Sequence, residues 1–119
     1  MRSLSIYIVK HTPSHEMLPI RVKRDLTAFG ANIAIARKRR GVTTAMMAER
    51  LGVGRDTYAR VEKGSVTVSL GIYAMALFAL GLEHGFAKLA DPQTDDTGTM
   101  LDINRLPKRV RTKRDPQPT

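Results

Sequence analysis

Residues 41–64 read GVTTAMMAERLGVGRDTYARVEKG, and no other stretch constrains this chain so tightly. Thr43 or Thr44 offers a side-chain oxygen to cap a helix. Met47, Ala48 and Leu51 follow at helical spacing and give that helix one apolar face. Gly52 stands where the chain must turn more sharply than a residue with a Cβ permits. A second helix begins near Arg55, with Tyr58 and Val61 on its inner face, and stops at Lys63-Gly64. Two short helices joined by a tight glycine turn form a helix-turn-helix unit, whose second helix is built to lie in the major groove of DNA.

The order of residue types across this unit resembles the lambda-repressor-like (Xre) family of helix-turn-helix regulators. The resemblance rests on Arg37, Gly41-Val42-Thr43, Met47-Ala48, Leu51-Gly52-Val53, the stretch Arg55 to Arg60, and Val61-Glu62-Lys63-Gly64, and covers roughly residues 26 to 89. It implies an all-α, five-helix lambda-repressor-like DNA-binding domain. Two positions depart from the family pattern. Gly54 stands where Ser or Thr usually caps the recognition helix, and an apolar stretch with Val66 and Val68 replaces the commoner Pro-Ser loop.

Composition agrees. The 119 residues suffice for one modest domain and not for two. With 5% aromatic residues, Leu, Ile, Val, Met and Ala must fill the core. A formal charge of +9 and a pI near 10.5 point to a polyanionic partner. The absence of cysteine excludes disulfides and cysteine zinc sites and suits a reducing, cytoplasmic, nucleoid-associated location. No apolar run reaches the length of a membrane span, so no membrane partner is expected.

Three regions follow. Residues 1–18 are a flexible lead in which Ser3 to Val9 alternate weakly as a strand would, and Met17 is an alternative start. Residues 19–90 form the DNA-binding domain. Its first helix runs roughly Val22 to Arg39, with Val22, Leu26, Phe29, Ile33 and Ala36 on one face. Gly30 in its middle marks close packing. A fourth helix spans about Ser69 to Leu80 on Leu70, Tyr73, Ala76, Leu77 and Leu80, and a short fifth runs about Glu83 to Leu89. Residues 91–119 are a connector and basic tail. The polar DPQTDDTG reads as turns, Met100, Leu101, Ile103 and Leu106 as an apolar patch, and PKRVRTKRDPQPT as disordered.

For base reading the candidates are Arg55, Asp56, Thr57 and Arg60 on the first two turns of the recognition helix. Arginine can bond guanine O6 and N7 in pairs and aspartate can accept from cytosine N4. Arg60, five residues past Arg55, is placed near the same side. For phosphate the candidates are Thr43, Thr44, Arg39, Arg40 and Lys63, and in the tail Lys108, Arg109 and Arg111. The resemblance implies that Arg37 and Glu62 form a partly buried ion pair that fixes the recognition helix. Leu82, Phe86 and Leu89 exceed the apolar needs of one small core and are assigned to a homodimer interface.

No enzyme is expected. His11, His15 and His84 have no metal-site spacing, and neither a nucleophile elbow nor a glycine-rich phosphate loop occurs. Catalytic residues, metal and cofactor are all read as none. The stretch after the domain, on Leu89-Ala90-Asp91-Pro92 and Leu106-Pro107-Lys108-Arg109, is similar to tails of HipB-like antitoxins. That similarity implies an autoregulating repressor with a HipA-type kinase toxin as partner. The competing readings are a free-standing repressor and a protein-interaction module in which DNA binding is incidental.

Overall fold

The computed structural model describes residues 17–109, with side chains as far as Arg105. The weak strand pattern at Ser3 to Val9, His11, His15, Arg111 and the end of the tail lie outside the described residues. Those residues form five α-helices, two 3-10 helices and no strand: α1 Ile20–Arg39, α2 Thr44–Leu51, α3 Arg55–Glu62, α4 Leu70–Ala79, 3-10 helices Glu83–Lys88 and Pro92–Thr94, and α5 Asp96–Arg109. The all-α expectation holds. None of these helices is long and apolar enough to cross a membrane.

The chain divides into two compact units after Glu83. In the first, α1 packs against α3, and α2 packs against both α3 and α4. Side-chain caps fix two helix starts: Thr43 Oγ1 accepts from Met46 N at 3.1 Å and Ser69 Oγ from Ile72 N at 3.2 Å. Ile33, Met47, Tyr58 and Val61 are the largest fully buried side chains, joined in the core by Ala48, Leu51, Tyr73, Ala76 and Leu80. Burial of each large one is worth about 1.5–3 kcal/mol. Phe29 of α1 and Tyr73 of α4 meet with ring centroids 5.6 Å apart, and the Tyr73 hydroxyl donates to Ser65 O at 2.6 Å.

Two residues assigned to the core by periodicity lie outside it. Val22 is 40% exposed and Leu70 67%. Both sit on the first turn of a helix, where the stripe runs past the edge of the partner it packs against. Gly30 matches its expectation: a Cβ there would meet Gly64 N and lie 2.7 Å from the carbonyl oxygens of Val61 and Glu62. Gly64, at φ 71°, in turn lies against the Leu26 carbonyl. The two glycines let α1 and the end of α3 approach backbone to backbone.

The second unit departs further from expectation. The fifth helix is a 3-10 element, Glu83–Lys88. The run read as turns contains two helix starts, because its aspartates act as caps: Asp91 Oδ1 accepts from Gln93 N and Asp95 Oδ1 from Gly98 N, each at 2.9 Å. From there α5 continues as far as Arg109, through the apolar patch and into the basic segment. Met100, Leu101 and Ile103 stand 49–61% exposed on it.

Candidate nucleic-acid interface

The turn between α2 and α3 is made by Gly52 at φ 71°, with Gly52 N bonded to Glu49 O and Val53 N to Ala48 O. Gly54 then occupies the cap position of α3 in extended conformation, without a side-chain hydrogen bond. The recognition helix therefore starts at Arg55, and its first-turn N–H groups carry no side-chain acceptor. An uncapped N-terminus presents free donors and the positive end of the helix dipole.

Tyr58 and Val61 have no exposed surface and anchor α3 from below, while Arg55, Asp56, Ala59, Arg60 and Lys63 are exposed above. Five residues at 100° each put Arg55 and Arg60 about 140° apart, on opposite flanks of that face. The placement of both near one side therefore fails. Arg55 borders a groove between α1 and α3, and Arg60 Nη2 turns toward Thr57 Oγ1 at 3.4 Å. Asp56 also borders the groove, and its side chain makes no ion pair with either arginine.

The groove is lined by Ala31, Ala34, Ile35 and Lys38 of α1, by Thr44, and by Arg55, Asp56, Ala59, Glu62 and Lys63. It gathers four of the residues assigned to DNA, Thr44, Arg55, Asp56 and Lys63, around one trough. It also adds Lys38, absent from the sequence candidates. Lys38 belongs to the basic run Arg37 to Arg40, but only the crossing of α1 over α3 decides which member of that run faces the trough. Arg40 bends back to its own helix, with Nη1 donating to Ala36 O at 2.9 Å, and Arg39 is exposed. Lys108 and Arg109 fall on the last turn of α5.

Below the groove lies the connection that sets its geometry. Arg37 Nε donates to Glu62 Oε2 at 2.5 Å and Nη2 to Oε1 at 3.2 Å, while Nη1 donates to Val42 O at 2.9 Å. Tyr58, one turn before Glu62, donates its hydroxyl to Glu62 Oε2 at 2.5 Å. The Arg37 guanidinium thus ties α1, the α1–α2 turn and, through the Glu62 carboxylate, α3 together. Tyr58 is the member that sequence reasoning missed as a polar group. Its i, i+4 spacing to Glu62 is the signal in the sequence that marks the pair.

Charge and titration follow from this packing. Burial disfavours the Glu62 carboxylate, but hydrogen bonds from Arg37 and Tyr58, with the nearby charges of Arg37 and Lys38, outweigh it and hold its pKa below the usual range. The hydrogen bond to Glu62 raises Arg37 despite burial. Burial, together with donation to a carboxylate, pushes Tyr58 well above its ordinary value, and burial raises Tyr73. Arg37 and Tyr58 thus keep their protons, and Glu62 its charge, across the neutral range.

A capped α2, a left-handed glycine turn and an exposed, uncapped α3 are the parts of a DNA-reading unit. The family described as "Helix-turn-helix domain" matches residues 28–85, from within α1 through the first part of the 3-10 helix after α4. Neither the curated proteins nor the solved structures contain a match. Geometry and family together identify residues 28–85 as a helix-turn-helix domain, consistent with an Xre-like DNA-binding regulator.

Proposed function

We propose that the protein is a sequence-specific transcriptional repressor that binds its operator as a dimer. The observation that carries this reading is the uncapped N-terminus of α3, flanked by Arg55 and Asp56 and held by the Arg37–Glu62–Tyr58 connection. Arg55 and Arg60 read bases from the two flanks of α3. Thr43, Thr44, Lys38 and Lys63 hold the adjoining phosphates, which fix register without reading sequence. A second copy supplies the second half-site, about 34 Å away on the same face of the duplex.

The narrower proposal is an autoregulating antitoxin with a HipA-type kinase as partner, supported by the sequence after Leu89. Binding of labelled promoter fragments from the chain's own operon, scored against random duplex at fixed salt, tests repression of its own transcription. A preference of at least about 10³-fold for one fragment is expected. Equal affinity for all fragments would leave only an interaction module with incidental DNA binding. Co-purification with the product of a neighbouring kinase-like gene tests the antitoxin reading separately.

A further inference from the structure

Between Leu26 and Ala36 the chain contains no Lys, Arg, His, Asp or Glu. That run is the middle of α1, and it is apolar on two opposite sides. Gly30, Ile33 and Ala36 face the core. Ala28, Ala31 and Ile35 face solvent, Ile35 with 48% of its surface exposed, and Thr27 and Asn32 are the polar residues beside them. A surface helix ordinarily turns charged or polar residues outward, and one that is apolar all round is covered on both sides.

Cations bracket this outer surface. The groove between α1 and α3, about 730 Å³, meets at Ala31 a second hollow that runs on to Ile20, itself 64% exposed. Lys23 and Arg24 border the far hollow, Lys38 the other end of the groove, and Arg55 and Lys63 its α3 wall. Arg24 and Lys38 stand seven residues either side of Ala31, about 21 Å apart along the axis and within about 20° of it around the helix. The three therefore form one line of cation, apolar floor and cation. A floor of alanines lets a second helix approach to about 8 Å, the short end of helix–helix spacing.

We propose that this surface is the docking site for an acidic amphipathic helix of another protein. Such a helix is about four turns long, with apolar residues at i, i+3, i+4 and i+7 against α1 and Asp or Glu near both ends. Charge selects this occupant over a second copy. Two copies meeting about Ala31 would set like charges together in either direction, Arg24 against Lys38 or each against itself. A duplex is a poorer fit to the far stretch, because it carries one charge per about 1.7 Å of axis and would lay phosphates over three uncharged turns. Thr44, Arg55 and Lys63 border the same groove, so, on the DNA reading above, the acidic helix and the operator exclude each other. The partner releases the repressor from its site.

The test uses a fluorescein-labelled synthetic peptide of about 18 residues, with Leu and Ala on one helical face and Glu along its flanks. Titrated with the full chain in the absence of DNA, it should show saturable anisotropy at micromolar concentration and a gain in helical circular dichroism. The same peptide with Lys in place of Glu should not bind. An isomer with its apolar residues scattered should bind at least tenfold more weakly. Ala31→Arg separates docking from bare attraction, because it raises the charge of the chain while obstructing the floor at an exposed helical position. It should weaken peptide binding at least tenfold with the fold intact. Arg24→Gln and Lys38→Gln should each weaken it by about two- to fivefold, more at low salt. Failure of the wild-type chain to bind the peptide, or undiminished binding by Ala31→Arg, overturns the proposal. So does an Ala31→Arg variant that loses duplex affinity and keeps the peptide, since the surface would then belong to DNA. Displacement of a labelled duplex by the peptide is read separately, and simultaneous binding of both overturns the exclusion without touching operator recognition.

Discussion

Glu62→Ala isolates what the connection beneath the recognition helix contributes. The Arg37 and Glu62 side chains are only 11% and 15% exposed, so solvent screens the pair little. Removing the carboxylate leaves the guanidinium with its bond to Val42 O alone and the Tyr58 hydroxyl without an acceptor. A buried charge deprived of its partner costs about 3–5 kcal/mol. An exposed ion pair would cost about 0–1 kcal/mol. Against a total stability of about 5–15 kcal/mol the two cases separate cleanly. Urea unfolding of the full chain at neutral pH, followed by circular dichroism, should show the midpoint falling with little change in slope. The double variant Arg37→Met/Glu62→Leu should lose less than the sum of the single changes, because no orphan charge remains. A cost below about 1 kcal/mol for Glu62→Ala would refute the claim that this pair holds α1 to α3.

Titration should show the same connection. The Glu62 pKa is depressed in the folded state, so its stabilisation is present above the unfolded carboxylate value near 4.3 and is lost as pH falls through the folded value. The Tyr58 pKa is raised, so its contribution is complete below about pH 10 and is lost as pH rises further. Thermal melts should be flat between about pH 5 and 10, with the acid limb shallower in Glu62→Gln. Gly30→Ala should destabilise by more than the roughly 1 kcal/mol that alanine ordinarily adds to a helix, because its methyl meets the backbone of residues 61–64; a higher melting temperature would refute that packing. Arg55→Ala and Arg60→Ala should each cost about 1–3 kcal/mol on the preferred operator and relax one base position. They should act at different positions, since they lie on opposite flanks of α3; equal loss on random DNA would make them phosphate contacts. Deleting residues 107–119, which carry five Lys or Arg between 108 and 114, should flatten the slope of log affinity against log salt by about two to four. An unchanged slope would place the tail off the DNA.

The helix-turn-helix was legible because its information is local. A threonine cap, apolar residues three and four apart, and glycines at left-handed turns act within a few residues of one another, so periodicity and turn chemistry recover α2 and α3 nearly to the residue. The Arg37–Glu62 pair was reached through resemblance, since nothing local links positions 25 apart. Composition gave the basic character but not its distribution in space.

Other features depended on how elements cross. Val22 and Leu70 fit their stripes and are exposed, because periodicity shows which way a residue faces and not whether anything lies there. Lys38 carries no local mark that separates it from Arg39 and Arg40, because the angle between α1 and α3 alone selects which cation faces the groove. The segment DPQTDDTG read as turns because Asp and Thr suit loops and helix caps equally; Asp95 resolves the ambiguity by bonding Gly98 N, and α5 follows. The sequence by itself determined the local elements of the reading unit. Tertiary structure alone decided which of its charges share a surface, because that depends on contacts between residues far apart in the chain.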